Sequence, residues 1–236
     1  MKPILFRFPG INGVSCLFSG LDQGNISFEV SGDKGTTLQN RKKLLAAYGF
    51  SVWQELRQVH GDLMIFDTLP RELSVAGATE ADAQASVEIG LPLLIKTADC
   101  QPIMMAHLSG KHIAAMHVGW RGNRINLPGK GVKALCEHYG LQPADIMAVR
   151  GPSLGPKASF FDDFERDWGK DFLPWRDERN RVNLWELTRH QLMNEGILSR
   201  HIFSLDLCTY SLPENYFSFR RDKDCGRQAS LIWIEK

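Results

Sequence analysis

The sequence predicts an α+β fold in which a single domain, residues 1–236, holds a mixed β-sheet core flanked by helices. Short apolar runs of strand length outnumber the segments with helical periodicity, and hairpin-like spacings separate many of these runs. Hydrophobic residues make up 43% of the chain and charged residues 23%, which is ordinary for a soluble protein with a substantial core. Strands joined by local turns, with helices added at the flanks, are typical of the α+β class.

The first half of the chain supplies the first strands and one helix. Residues 1–8 predict a strand, and a turn-rich region follows at residues 20–35. From residue 36 to residue 49 leucines line one side of a predicted helix, one of the two opening threonines caps it, and the final glycine ends it. Residues 51–59 and 63–66 flank a short His-Gly-Asp turn, which predicts a hairpin.

The second half of the chain combines short strands with two helices. One helix opens at Pro128 and ends near residue 140, and the other spans residues 184–195 with Gly196 as its C-cap. A loop rich in glycine and proline is predicted at residues 151–156. The predicted strands are residues 91–95, 103–106, 113–116, 146–149, 202–207, 216–220 and 229–234.

Composition narrows the classes of function. The formal net charge of +1 gives no electrostatic reason to expect a nucleic-acid or membrane partner. No apolar run approaches the roughly 18 residues that a membrane helix needs. The five cysteines, an odd number without a CxxC spacing, argue against a disulfide framework. We therefore predict a cytoplasmic protein that acts on a small molecule as a monomer or a weak homodimer.

Three short segments each place a metal-binding side chain where a predicted strand meets a turn. These side chains are His60, Cys100 and His117. Two imidazoles and one thiolate form a soft donor set, and zinc held by three protein ligands keeps a fourth position for water or substrate. Asp99 could accept a hydrogen bond beside the centre or act as a general base, and Arg121 offers a planar fork of donors for phosphate or carboxylate.

Other interpretations of the same residues remain open. A single histidine at a strand end is more often structural than a ligand, and Cys100 could be a small buried apolar residue. Cys100 with His117 or His60 could instead form the thiolate–imidazolium pair of a cysteine hydrolase. A second histidine favours a metal, because a dyad does not require it, but the residues alone leave both possibilities standing.

Three blocks, residues 58–61, 97–102 and 117–122, resemble the signature segments of the laccase-domain (YfiH) family. Members of that family have been called polyphenol oxidase, purine nucleoside phosphorylase and peptidoglycan editing factor PgeF. The resemblance extends over nearly the whole chain and keeps the order of the blocks. Further blocks that resemble the family are residues 40–41, 81–83, 151–156, 206–211, 217–222 and 226–228.

The resemblance implies a fold, a centre and an activity. The fold would be similar to that of bacterial cytotoxic-necrotizing-factor-like cysteine hydrolases. His60, Cys100 and His117 would bind zinc, or alternatively copper. The implied activity is phosphorolysis of purine nucleosides (adenosine, inosine and guanosine) to the base and ribose 1-phosphate, with adenosine deamination as a second reaction.

In this mechanism, the arginines bind phosphate, the amides contact base or sugar, and Asp99 carries a proton. The candidate substrate-binding residues are Gln58, Asn40, Arg121, Arg220 and Arg221. Three alternatives stand beside it: a copper-dependent polyphenol oxidase, a cysteine-type amidase that edits a peptidoglycan precursor, and a non-enzymatic binding protein. Multicopper chemistry needs more histidines than the seven present here, most of them scattered.

Overall fold

Two stacked β-sheets form the centre of the molecule, and helices cover both outer faces. The structure is a computed structural model that describes residues 2–30 and 32–236. Met1 of the predicted first strand and Ser31 of the predicted turn region lie outside the described residues. The predicted α+β class is confirmed, with the difference that the sheet core consists of two six-stranded sheets.

The elements are numbered in chain order. The strands are β1 (Ile4–Arg7), β2 (Val14–Phe18), β3 (Val52–Glu55), β4 (Met64–Phe66), β5 (Arg71–Glu72), β6 (Ala83–Ser86), β7 (Leu93–Thr97), β8 (Gln101–His107), β9 (Ile113–Val118), β10 (Ile146–Arg150), β11 (Ile202–Ser204) and β12 (Gln228–Ile234). The helices are α1 (Lys34–Ala46), α2 (Trp120–Arg124), α3 (Leu127–Tyr139), α4 (Phe164–Asp167) and α5 (Leu184–Asn194). Short 3₁₀ turns occupy Leu21–Gln23, Pro143–Asp145, Lys170–Trp175 and Ser199–His201.

Both sheets mix parallel and antiparallel pairs. The first sheet has the order β1-β2-β12-β7-β3-β5, and the second has the order β11-β10-β8-β9-β6-β4. In the first sheet β3 and β7 are parallel neighbours. In the second, β4 is parallel to β6, while β9 runs antiparallel to both β6 and β8. It follows that β4 and β8 begin at the same end of the second sheet, where β9 finishes.

Successive side chains on the central strands point to opposite faces of each sheet, and this alternation explains the apolar layers of the core. On β8, Met104 and Ala106 face the core between the two sheets, whereas Ile103 and Met105 face α3 and α5 on the outer side. On β7, Leu94 packs towards α1 on the opposite outer side. Because each such side chain contributes about 1.5–3 kcal/mol on full burial, these continuous apolar runs fix the register of both sheets.

The helices follow local signals, but α1 differs from its prediction at both ends, since it ends at Ala46 and not at Gly49. Helix α1 begins after Asp33, whose carboxylate accepts the Thr36 backbone N–H at 2.6 Å, so the predicted threonine cap is wrong. A short acidic side chain that reaches the third residue satisfies a donor which the helix leaves free. Helix α3 ends at Gly140, in the left-handed region with φ 67°, as predicted. None of the described helices is long and apolar enough to cross a membrane.

Two other predictions of secondary structure are wrong. The predicted hairpin does not form, because β3 joins the first sheet and β4 joins the second. Residues 216–220 form an irregular segment that ends in a turn rather than a strand. Arg221 explains the second case: its guanidinium donates to the carbonyls of Thr209, Tyr210 and Tyr216 at 2.9, 3.0 and 2.6 Å, which holds this segment in a folded loop.

Candidate functional site

Three separate passages of the chain meet at one end of the sheet pair. His60 lies on the connection from β3 to β4, and Cys100 lies on the connection from β7 to β8. Both connections cross from the first sheet to the second. His117 is the penultimate residue of β9, which finishes at this same end. The parallel pairing of β3 with β7 therefore brings the two crossings side by side above the end of β9.

The three donor atoms are close enough to share one ion. They lie within 4.8 Å of one another, with His60 exposed, Cys100 half-buried and His117 buried. The Cys100 Sγ and His60 Nε2 atoms are 3.8 Å apart. A tetrahedral zinc with bonds of about 2.3 Å to sulfur and about 2.1 Å to nitrogen separates two such ligands by about 3.6 Å. The spacing and the chemistry of this donor set therefore fit a metal ion.

A fully buried carboxylate, Asp82, ties two of the donors together. Its Oδ1 accepts the Nδ1–H of His117 at 2.7 Å. Its Oδ2 accepts the backbone N–H groups of Val59 and Gly61, at 3.0 and 2.7 Å, on either side of His60. The Nδ1–H that Asp82 holds leaves Nε2 as the nitrogen of His117 that can bind a metal once it is deprotonated, the arrangement common around metal-binding histidines.

The electrostatics of the site favour a thiolate. Burial opposes ionisation of Cys100, but His117 and His60 outweigh it and lower the pKa of the thiol to about 6. Burial disfavours the charged form of His117, but Cys100 and Asp82 raise the pKa of its imidazole to about 9. Burial also opposes ionisation of Asp82, but hydrogen bonds from His117 and the backbone lower its pKa.

The backbone around the donors is unusual. His60 has φ 61° and Asp99 has φ 83°, both in the left-handed region that residues with a side chain seldom occupy. Each such conformation costs about 1 kcal/mol or more and persists where surrounding contacts impose it. Gly119 lies so close that a Cβ there would be 2.9 Å from the Cys100 Sγ. The chain thus accepts local strain and a bare backbone to assemble this centre.

Two clefts open onto the donor set. The first has a volume of about 500 Å³ and an aromatic wall that includes Trp120, Phe160, Phe161 and Phe219. The second has a volume of about 490 Å³. Its charged lining side chains are Glu29, Arg57, Lys96 and Arg227. His60, Ala98, Cys100 and Phe219 line both clefts, so the centre lies at their junction.

The first cleft contains three of the predicted site residues besides the donors: Asp99, Arg121 and Arg220. The two carboxylate oxygens of Asp99 accept the Thr209 hydroxyl at 2.7 Å and the Arg220 backbone N–H at 2.6 Å. The Arg220 guanidinium lies over the Phe160 ring at 4.5 Å, and Arg121 lies over its neighbour Trp120. These side chains are in position to contact a ligand in that cleft.

The other predicted substrate contacts lie elsewhere or are engaged. Gln58 lines the second cleft, but its amide exchanges two hydrogen bonds of 2.8 Å with the backbone of Lys96. Asn40 lies on α1, outside the lining of both clefts, and donates to the carbonyl of Asn25 at 3.0 Å. Arg221 likewise lies outside both linings, with its guanidinium on backbone carbonyls.

Sequence reasoning missed Asp82 as a residue of the candidate site. It recognised residues 81–83 only as a family block and gave the aspartate no role. A signal was available, since an acidic residue directly before a strand of small buried residues must find partners for its charge. Lys96, within the apolar run of β7, carries the same kind of signal.

A family model and several relatives match almost the whole chain. The family model described as "Multi-copper polyphenol oxidoreductase laccase" matches residues 11–235. A curated relative from Xylella fastidiosa, named purine nucleoside phosphorylase, is 36% identical over 98% of this chain and 92% of its own length. A relative from Escherichia coli, named purine nucleoside phosphorylase YfiH, is 33% identical over 83% of this chain and 80% of its own length.

The fold is also found in solved structures. The crystal structure of YlmD from Geobacillus stearothermophilus superposes with a TM-score of 0.85 at 26% identity, covering 97% of this chain and 94% of that one. A Bacillus licheniformis protein described as hypothetical protein YfiH superposes with a TM-score of 0.84 at 25% identity, covering 95% and 94% of the two chains. The likeness therefore extends over almost the whole of both molecules.

Proposed function

The chain belongs to the laccase-domain (YfiH) family, and from that premise we propose that it is a metal-dependent purine nucleoside phosphorylase with adenosine deamination as a second reaction. One observation carries the proposal: a His-Cys-His donor set lies where two clefts meet. Phosphorolysis joins two reactants, a nucleoside and phosphate, at a single sugar carbon. Two clefts that share a centre give each reactant its own approach.

A metal fits the residues that form the centre. His60, Cys100 and His117 would hold it, with Asp82 orienting His117 from behind. When bound, a zinc or copper ion supplies Lewis-acid polarisation and lowers the pKa of coordinated water. The protein's contribution is the donor set, the pre-oriented imidazole and a half-enclosed surrounding.

The first cleft suits the nucleoside. A purine is flat and apolar on both faces, and the aromatic wall formed by Phe160, Phe161 and Phe219 offers surfaces for stacking. Arg220, fixed at its backbone by Asp99 and at its guanidinium by the Phe160 carbonyl, presents a positive charge beside that wall. Asp99 lines the same cleft beside Cys100, and in this proposal it carries a proton to the departing base as the glycosidic bond breaks.

Metal analysis and product analysis of the purified protein test the proposal. With adenosine and phosphate, we expect adenine and ribose 1-phosphate, and inosine reports deamination. His60→Ala, Cys100→Ala and His117→Ala should each lose metal and turnover together. Cys208→Ala is the matched control, because Cys208 is also half-buried but accepts the Gly155 N–H away from the centre.

Two outcomes would overturn the proposal. Full phosphorolysis of adenosine by a metal-free Cys100→Ala protein would show that the reaction does not need the centre. Oxygen consumption with a phenol, in place of nucleoside turnover, points instead to a copper-dependent oxidase.

A second candidate function is favoured by the order Cys100–His117–Asp82. A thiol, an imidazole and a carboxylate that orients the imidazole are the arrangement of a cysteine-type hydrolase. In that case the chain acts as an amidase on a peptidoglycan precursor. The thiolate attacks the amide carbon, the imidazolium protonates the leaving amine, and water then hydrolyses the thioester left on Cys100. Amidase activity that survives chelation and is lost on thiol alkylation supports this candidate over the metal-dependent one.

A further inference from the structure

A chain of buried charges extends from α1 to the second cleft. Arg41 and Glu55, both fully buried, form two parallel hydrogen bonds of 2.9 Å. The Trp53 indole N–H also donates to Glu55, at 3.1 Å. Lys96 reaches Glu55 at 2.9 Å and Glu29 at 2.6 Å, with its own side chain only 3% exposed. Because Arg41 already balances the charge of Glu55, Glu29 is the carboxylate that balances the charge of Lys96.

Glu29 differs from the other three charged members of this chain. Its side chain is 37% exposed, and it lies on the loop before α1, whereas Lys96 and Glu55 belong to adjacent strands of the first sheet. Loop side chains move at lower cost than side chains anchored in a sheet. Glu29 is therefore the partner of Lys96 that can be exchanged for another anion.

The second cleft is cationic around this pair. Arg57, Lys96 and Arg227 line it, and Glu29 is the one carboxylate among the described lining residues. Arg57 sits near the opening, 60% exposed in an ion pair with Glu80. The same cleft includes the donors His60, Cys100 and His117. A tetrahedral oxyanion bound here would lie beside the centre, where this cleft meets the aromatic cleft.

We propose that the second cleft is the phosphate site of this protein, and that Glu29 occupies the place of the anion at Lys96 until phosphate displaces it. The inference rests on the proposed function, because phosphate is the co-reactant which that function needs. It assigns phosphate to Lys96, Arg57 and Arg227, and leaves Arg121 and Arg220 to the nucleoside. Arg227 would contribute through the side of its guanidinium away from Nη1, which donates to the carbonyls of Cys225 and Gly226. Charge-assisted hydrogen bonds from these side chains are the strong class of contact for phosphate oxygens.

Calorimetric titration of the metal-loaded protein with inorganic phosphate, in the absence of nucleoside, tests the inference directly. Arg57→Gln removes a cation from an exposed position and should raise the phosphate Kd by about tenfold. Glu29→Gln removes the competing carboxylate and should lower that Kd by about fivefold, because a larger fraction of the site is then open to the anion.

Matched controls separate local contacts from net charge. Arg121→Gln removes one cation from the first cleft and should leave the phosphate Kd unchanged. Glu88→Gln removes one carboxylate from an exposed position that lines neither cleft, and it should not tighten binding. A melting curve for each variant verifies that it is folded before titration.

The outcomes separate this inference from the proposed function. If the Kd shifts appear but adenosine is not cleaved, the assignment of the phosphate site is supported and the proposed phosphorylase activity is refuted. If adenosine is cleaved but Arg121→Gln, rather than Arg57→Gln, weakens phosphate binding, the site assignment is overturned. Failure of native protein to bind phosphate in the millimolar range also overturns it. So does binding of a nucleoside monophosphate without binding of inorganic phosphate, since the oxyanion then comes from a larger ligand.

Discussion

Asp82→Asn is the substitution that tests the geometry of the proposed metal centre most sharply. The carboxylate accepts three hydrogen bonds, one from His117 Nδ1 at 2.7 Å and two from the backbone N–H groups that flank His60. Asparagine keeps the size of the side chain but has only one acceptor oxygen, and its other terminal group is a donor. No orientation of that amide satisfies all three contacts.

Either orientation of the amide damages the centre. If the oxygen faces the backbone, the NH₂ group faces His117 Nδ1, which must then give up its proton. The proton moves to Nε2, the atom that the ion requires. If the oxygen faces His117, the NH₂ group opposes the N–H groups of Val59 and Gly61, and the loop that carries His60 moves.

The expected loss follows from the hydrogen bonds. A hydrogen bond to a charged group contributes about 1.5–3 kcal/mol, equivalent to about 10- to 100-fold in an equilibrium constant. Residues that orient a metal-binding histidine have effects of about the same size on metal affinity. We therefore expect Asp82→Asn to weaken Zn²⁺ binding by about 10- to 100-fold.

Competition between the protein and a chromophoric chelator for Zn²⁺ measures this loss. Asp62→Asn is the control, because Asp62 lies on the same connection but is exposed and paired with Lys130. Melting of the metal-free proteins separates lost affinity from lost folding. Unchanged Zn²⁺ affinity in a folded Asp82→Asn protein refutes the reasoning, and so does an equal loss in Asp62→Asn.

Three further predictions address the centre and the buried charges. Gly119→Ala should lower Zn²⁺ affinity by about tenfold in the same competition assay, because its Cβ would lie 2.9 Å from the Cys100 Sγ, where packed atoms must shift. In chelator-treated protein, the rate of Cys100 alkylation by iodoacetamide should rise with a midpoint near pH 6, since the neighbouring imidazoles outweigh burial and lower the thiol pKa; a midpoint near the ordinary thiol value contradicts this. Arg41→Met should destabilise the protein by about 3–5 kcal/mol in urea unfolding, because Glu55 stays buried without its main partner; an unchanged unfolding midpoint would count against it.

Local patterns in the sequence predicted the elements whose signals are strong. The apolar runs of β8 and β9 specify strands buried on both faces, and a glycine in the left-handed region ends α3. The predicted hairpin between residues 51–59 and 63–66 does not form, and the reason is physical. A turn signal reports that the chain changes direction, but strand partners are chosen by packing with distant segments, and here β3 and β4 belong to different sheets.

The three donors were predicted because each follows an apolar run and precedes a turn. Their partners were not, because a buried polar network has no fixed spacing along the chain. Arg41 is fully buried within α1, a helix whose polar residues indicate an exposed surface, and its partner Glu55 lies on a strand of the first sheet. Only the packing of α1 against that sheet reveals the pair.

The crossing of the chain between the sheets explains both the strain at the donor set and how its three side chains come together. Where the chain leaves one sheet and enters the other, it must turn within a few residues. The crossings at His60 and Asp99 make this turn through left-handed conformations. Those conformations persist because Asp82 fixes the first crossing, while the Thr209 hydroxyl and the Arg220 backbone fix the second. The same contacts that stabilise the strained backbone conformations at the crossings therefore hold the donors in place. The centre is thus pre-organised by the topology of the two sheets.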